Sequence, residues 1–192
     1  MAKQIILALA PTAGTGRDAS NPIEPAAIRD EVAACAEQGV ALVHIHSRDA
    51  EGGLSADIDR FLETCRLVRE SCDVIIEAST GGLSALTAEE RGRTLRAPEA
   101  ETASFNMGSL NFGDEVYQNS VPDIRYWLGE MNARRKKPVM ELFDTAMVEL
   151  AESLIDEGKL HAPFLYNFIF DCKWSMAYSA PLLAYLKGRI RE

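Results

Sequence analysis

The sequence has 192 residues, 47% hydrophobic and 26% charged, a composition that suits a globular protein able to bury a sizeable core. Acidic residues outnumber basic ones 29 to 20, and the formal charge of -9 works against binding to phosphate backbones or anionic membrane surfaces, so no nucleic-acid or membrane partner is expected. A small molecule is left as the favoured partner, although the same surplus would also serve as a solvated acidic surface.

From the first residues onward, apolar runs with strand character alternate with stretches of helical periodicity. A strand over 5–10 leads to a helix over 25–38, which opens on Pro25 and closes on Gly39. A strand over 41–46 leads to a helix over 56–70, and a strand over 73–78 to a helix over 87–96, where Thr87 and Glu90 make a capping box. The remaining strands, over 102–106, 138–143 and 164–170, are each followed by a helix, over 122–136, 146–157 and 175–189, the second ending at Gly158. No signal peptide is read at the start, and no apolar run approaches the roughly 20 residues of a membrane span. The four cysteines, Cys35, Cys65, Cys72 and Cys172, lack C-x-x-C spacing, so free thiols in a reducing cytoplasm are expected.

Six β/α units without a linker or repeat predict one domain over 1–192 with a parallel sheet covered by helices. Periodicity leaves a doubly wound open sheet and a barrel as alternatives. Thr12, His44, His46, Ser79, Thr80, Ser104, Asn106, Glu141 and Asn167 fall at or just past the strands' C-terminal ends, where either fold builds its ligand site. The first β/α turn, Thr12-Ala13-Gly14-Thr15-Gly16, lacks the G-x-G-x-x-G fingerprint, which disfavours a dinucleotide fold.

The strongest constellation is Val43-His44-Ile45-His46-Ser47-Arg48-Asp49. Residues two apart in a strand share a face, so both imidazoles project into one space, as two ligands of a catalytic zinc would or as a hydrogen-bonded core pair. His161, in the connection before the sixth strand, opens on the opposite end and reads as a surface residue. Glu141 suits acid/base work, substrate positioning or a salt bridge, and Glu77 a structural ion pair. Ser79-Thr80-Gly81-Gly82 reads as a carboxylate cradle or as an ordinary tight turn.

Taken together, Ala10-Pro11-Thr12, the H-x-H-S-R-D segment, Ser79-Thr80-Gly81-Gly82, Gly108-Ser109-Leu110-Asn111-Phe112 and Glu141-Leu142-Phe143-Asp144 resemble the β-keto acid cleavage enzymes, among them the 3-keto-5-aminohexanoate cleavage enzymes, over nearly the whole chain. The resemblance implies a (β/α)8 TIM-type barrel, here truncated after six β/α units, and a homo-oligomer. It implies a zinc-dependent exchange in which a 3-keto acid and acetyl-CoA give acetoacetate and a new acyl-CoA. His44 and His46 match the family's zinc-binding histidines, Ser79, Gly82 and Ser104 match positions that hold the substrate carboxylate, and Glu141 matches a catalytic glutamate. Gly14 stands where the members acting on an amino-substituted keto acid carry an acidic residue, which implies a substrate without that ammonium group. The family's acidic zinc ligand and its catalytic Arg and Asp lie in later strands, past Glu192, so weak zinc binding by the isolated chain is expected. A different metal-dependent barrel, an isomerase or aldolase, and a non-catalytic assembly module are the competing readings.

Overall fold

The structure is a computed structural model that describes residues 5–12, 21–81 and 85–191. The elements run β1 Leu7–Leu9, α1 Pro25–Glu37, β2 Val40–Ile45, α2 Asp59–Ser71, β3 Ile75–Ala78, α3 Ala88–Gly92, β4 Thr102–Asn106, β5 Leu110–Phe112, β6 Glu115–Tyr117, α4 Val121–Ala133, β7 Lys137–Leu142, α5 Thr145–Asp156, β8 Leu165–Phe168 and α6 Ala180–Lys187. Six strands form a parallel sheet in the order β1-β2-β3-β4-β7-β8, while β5 and β6 make a separate antiparallel hairpin. Each strand of the large sheet lies beside the next one in the chain, so the order never reverses, as it must in a doubly wound sheet. This is the winding of a TIM-type barrel, open between β1 and β8 among the described residues.

Local chemistry starts the helices where the chain changes direction. Thr87 and Glu90 form the expected capping box, Ser120 Oγ accepts the Asp123 N–H, Asp144 Oδ1 accepts the Met147 N–H, and Ser179 Oγ accepts the Leu182 N–H. Gly39 and Gly158 take positive φ of 97° and 67° just past α1 and α5, the left-handed caps their positions call for.

Period-two alternation sorts the strands. Val43, Ile45, Ile76, Ala78, Ala103, Phe105, Met140 and Leu142 are buried under the helices, packed with Phe61, Val68, Trp127 and Leu154. The opposite face carries His44, Glu77, Ser104 and Glu141 toward the barrel axis. The core therefore lies between sheet and helices, and the polar residues are concentrated at the axis.

Several elements are shorter than the sequence predicts. β1 keeps three residues of the expected 5–10, with an irregular register between Leu7 and Ala8, and Ile5 and Ile6 stand exposed at this edge. The helix over 87–96 divides into α3 and a 3-10 turn at Arg93–Arg96. The helix over 175–189 begins only at Ala180, because Pro181 fits a first turn and not an interior; Asp171 and Trp174 take positive φ before it. Between the expected strand over 102–106 and helix over 122–136, the segment from Gly108 to Gly113 includes β5 of the hairpin.

All four cysteines are free thiols, and no helix among the described residues is long and apolar enough to cross a membrane.

Candidate active site

The strands bring their C-terminal ends to one cavity of about 510 Å3. β2 contributes His44 with His46 just beyond it, the turn after β3 contributes Ser79 and Gly81, β4 ends on Asn106, and β7 supplies Glu141 with Phe143 following. The β5–β6 hairpin closes one side with Phe112 and Tyr117, whose rings meet each other and Phe143 edge to face at centroid distances of 6.2–6.5 Å.

The H-x-H spacing does what alternation predicts. Val43 and Ile45 enter the core, and the two imidazoles face one another with Nε2 atoms 3.1 Å apart and planes at 78°. Two nitrogens bound to one tetrahedral zinc at about 2.0–2.1 Å stand roughly 3.3 Å apart, so the pair is spaced to share an ion. In-register pairing of β2 with β3 sets Glu77 beside His44, and its Oε1 lies 2.6 Å from His44 Nδ1. With the Nδ1 hydrogen donated to that carboxylate, the His44 Nε2 lone pair is aimed at His46, the tautomer and orientation a metal ligand needs.

The two rings are shifted in opposite directions. Burial on its own would lower the His44 pKa, but the hydrogen bond to Glu77 and the charges of Glu141 and Glu77 outweigh it and raise it. His46 is held well below the ordinary histidine value by burial, by His44 and by Arg48, so it stays neutral and able to coordinate. Glu141 is pushed up to about 7 by desolvation, opposed by His44 and reinforced by Glu77. A divalent ion would relieve this crowding of carboxylates.

Ligand atoms of His44, Glu77 and Glu141 lie within 4.8 Å of one another among the described residues. That grouping places Glu77 among the ligands, but its near oxygen is engaged by His44 Nδ1, and the facing Nε2 atoms of His44 and His46 make the better nitrogen set. The donor set fits a zinc ion: His46 is neutral, His44 would coordinate by giving up its Nε2 proton to the ion, and the Glu141 carboxylate is nearby.

Unmet polar capacity marks the same cavity. Among the described residues, His46 Nδ1 and both amide atoms of Asn106 are buried without a hydrogen-bond partner. Ser79 lines the cavity and accepts the Gly81 N–H at 3.0 Å, whereas Ser104 lies behind, its Oγ accepting the Thr80 N–H at 3.0 Å and its carbonyl accepting the Thr80 hydroxyl at 2.7 Å. Gly82 and Gly14 lie outside the described residues.

Other parts of the motifs are structural. Asp49 Oδ1 accepts the N–H groups of Glu51 and Gly53, and Arg48 donates to the Gly52 carbonyl at 3.2 Å, so the R-D pair shapes the turn after β2. Asp144 of the E-L-F-D segment caps α5. His161 is exposed and away from the cavity, as its position in the chain predicts. Asn167 is exposed too, paired in register with Glu141.

Three residues are tied more closely to the cavity than their places in the chain suggest. Glu77 was expected to pair with a cation, and its partner is a histidine across the strand pair. Asn106 carried only a strand-end position. Arg91, buried behind the hairpin, sits in a segment whose pattern shows only a helix.

A family model for beta-keto acid cleavage enzymes matches residues 4–192. The chain is 32% identical over 197 residues to the 3-oxoadipate:acetyl-CoA acetyltransferase of Cupriavidus necator, covering 100% of this chain and 68% of that protein. It is 32% identical over 178 residues to the 3-keto-5-aminohexanoate cleavage enzyme of Fusobacterium nucleatum, covering 90% of this chain and 64% of the relative. The chain thus spans about two thirds of the length of these curated relatives. Among solved structures, apo ObcA superposes with a TM-score of 0.67 at 22% identity, over 76% of this chain and 35% of ObcA. The Ruminococcus gnavus sialic acid aldolase superposes with a TM-score of 0.62 at 11% identity, over 97% of this chain and 58% of the aldolase. At these identities the structural likeness speaks to the barrel fold alone.

Proposed function

The chain belongs to the beta-keto acid cleavage enzyme family, and from that premise we propose that it serves the zinc-dependent exchange of a 3-keto acid with acetyl-CoA, giving acetoacetate and a new acyl-CoA. In this exchange the bond between C2 and C3 of the keto acid breaks, its acyl group passes to the CoA sulfur, and the acetyl group leaves that sulfur to join C2. The observation that carries the reading is the His44–His46 pair, with Nε2 atoms 3.1 Å apart, Glu77 on the far nitrogen of His44, and Glu141 at the same cavity.

Zinc bound there supplies Lewis-acid polarisation of the 3-keto oxygen, where negative charge develops as carbon–carbon bonds form and break. His44 and His46 hold it, and Glu77 fixes the ring of His44. Glu141 orients the charged groups around the reacting carbon. Ser79, Gly82 and Ser104 serve the substrate carboxylate, and Ser104 also holds the Thr80 N–H of the same turn. Asn106, with both amide atoms unpartnered at the cavity wall, offers a donor and an acceptor to the same ligand. The aromatic side formed by Phe112, Tyr117 and Phe143 excludes water from the reacting groups. In the same reading the protein is one barrel domain that works in the cytoplasm, where free thiols persist, as a homo-oligomer.

Incubation of the zinc-loaded protein with a panel of 3-keto acids tests this directly. Acetoacetate and the matching acyl-CoA should appear together, in equal amounts, only when acetyl-CoA is present. Cleavage that proceeds without acetyl-CoA would instead identify an aldolase-type lyase.

A further inference from the structure

Behind the aromatic side of the cavity lies a buried guanidinium. Arg91 is 5% exposed, and it forms no ion pair among the described residues. Its partners are neutral oxygens: Nε donates to the Thr80 carbonyl at 2.9 Å, Nη1 to the Gln118 carbonyl at 2.7 Å, and Nη2 to Asn119 Oδ1 at 2.5 Å and to the Tyr117 hydroxyl at 3.5 Å. The guanidinium also stacks over Trp127 at 4.3 Å and lies 5.3 Å from the centroid of Tyr117. The positive charge is thus kept in a buried wall with neutral oxygens and two rings directly against it; burial lowers its pKa, and the Tyr117 hydroxyl and the Asp123 carboxylate support the charge.

Tyr117 connects that charge to the cavity. A methyl group added at Gly81 would meet Ser79 Oγ at 3.0 Å, Tyr117 Oη at 3.1 Å and His46 Cε1 at 3.5 Å. The two hydroxyls therefore converge on the space in front of the Gly81 α-carbon, at hydrogen-bonding range of one point and beside the histidine pair. Glycine at 81 keeps that space open. Because Tyr117 Oη accepts from Arg91, its own hydrogen turns away from the guanidinium, and the nearby positive charge makes it a stronger donor.

We infer that Tyr117 is a substrate-binding residue that donates, together with Ser79, to the carboxylate of the keto acid, and that Arg91 is a positioning residue that polarises and orients the Tyr117 hydroxyl from behind. The inference rests on the keto acid reading above and adds two residues to its anion subsite. The same arrangement ties the turn after β3 to the β5–β6 hairpin, since Arg91 bonds Thr80 on one side and Gln118 and Asn119 on the other. The hairpin is thereby fixed as a wall of the site.

The test is equilibrium binding of acetoacetate to the zinc-loaded protein by titration calorimetry, with methyl acetoacetate as the ligand of similar shape that lacks the carboxylate. Wild-type protein should prefer acetoacetate. Tyr117→Phe keeps the ring and its edge-to-face contacts, and should reduce that preference about tenfold while zinc content and methyl acetoacetate binding stay as in wild type. Arg91→Gln should reduce the preference by a similar factor, and adding Tyr117→Phe to it should cost little more, because one residue acts through the other. If Arg91→Gln does not fold, Tyr117→Phe alone decides. A wild-type preference unchanged in Tyr117→Phe overturns this inference and leaves the keto acid reading standing. Failure of wild-type protein to bind acetoacetate overturns the keto acid reading and this inference with it.

Discussion

The two ends of the parallel sheet treat buried polar groups in opposite ways. At the end where the strands begin, the buried Lys136 Nζ donates to the carbonyls of Ala97 and Ala100 at 2.6 and 2.5 Å, and the buried Thr102 hydroxyl donates to the Ile76 carbonyl at 3.5 Å. At the end where the strands finish, His46 Nδ1 and the Asn106 amide have no hydrogen-bond partner among the described residues, and Glu141 is pushed up to about 7. Both ends belong to the same strands, so burial alone does not separate them. The difference teaches that one end is built to close on itself and the other to be completed by something that binds.

Substitutions at the two ends should consequently split binding from stability. The largest effect belongs to His44→Ala and His46→Ala, each of which should lower zinc affinity by more than about 100-fold, read by competition with a chromogenic chelator, with little change in the melting temperature of metal-free protein. Glu77→Gln removes the acceptor charge on His44 Nδ1 and leaves the strand pairing intact; a loss in zinc affinity of about 10–100-fold is expected in the same assay. At the opposite end, Lys136→Ala takes a charged donor from two buried carbonyls, of which that of Ala97 keeps only the Ala100 N–H at 3.4 Å, and should destabilise the fold by about 2 kcal/mol in urea unfolding, with zinc affinity unchanged. Thr87→Ala, which breaks the capping box of α3, should cost about 1 kcal/mol and likewise spare the metal. The smallest effect, and opposite in sign, is expected for Asn106→Leu: removing a buried amide without partners should leave the free protein equally stable or up to about 1 kcal/mol more so, while weakening acetoacetate binding. A loss of stability in Asn106→Leu as large as that in Lys136→Ala would erase the contrast between the two ends.

Much of this was legible in the sequence because it follows from short periods. The H-x-H spacing already requires both imidazoles on one strand face, and the caps at Thr87, Gly39 and Gly158 follow from local backbone rules. The polar residues at the strand ends point to one cavity for the same reason. What the sequence conceals is whatever depends on register between strands or on contacts across the chain. Glu77 meets His44 only because β2 and β3 pair with those two residues opposite each other, and no spacing of 33 residues announces that. Arg91 lies in a segment that reads simply as a helix, yet it bonds the turn before α3 and the segment after the hairpin, up to 28 residues away. The hairpin itself was hidden by the glycines at 108 and 113, which suit a plain loop as well as the ends of a short β-ribbon. Ser104 has the strand-end position of a ligand contact, and its hydroxyl oxygen also accepts the Thr80 N–H, a bond visible only in three dimensions.

The proposed grip of His44 and His46 on one ion through their facing nitrogens is measured most directly by zinc K-edge absorption of the loaded protein. Two imidazole nitrogens at about 2.0–2.1 Å, completed by oxygen ligands, and loss of the imidazole scattering in the His44→Ala/His46→Ala double variant, are the predicted result. A spectrum with oxygen neighbours alone, or one unchanged in that variant, would contradict it.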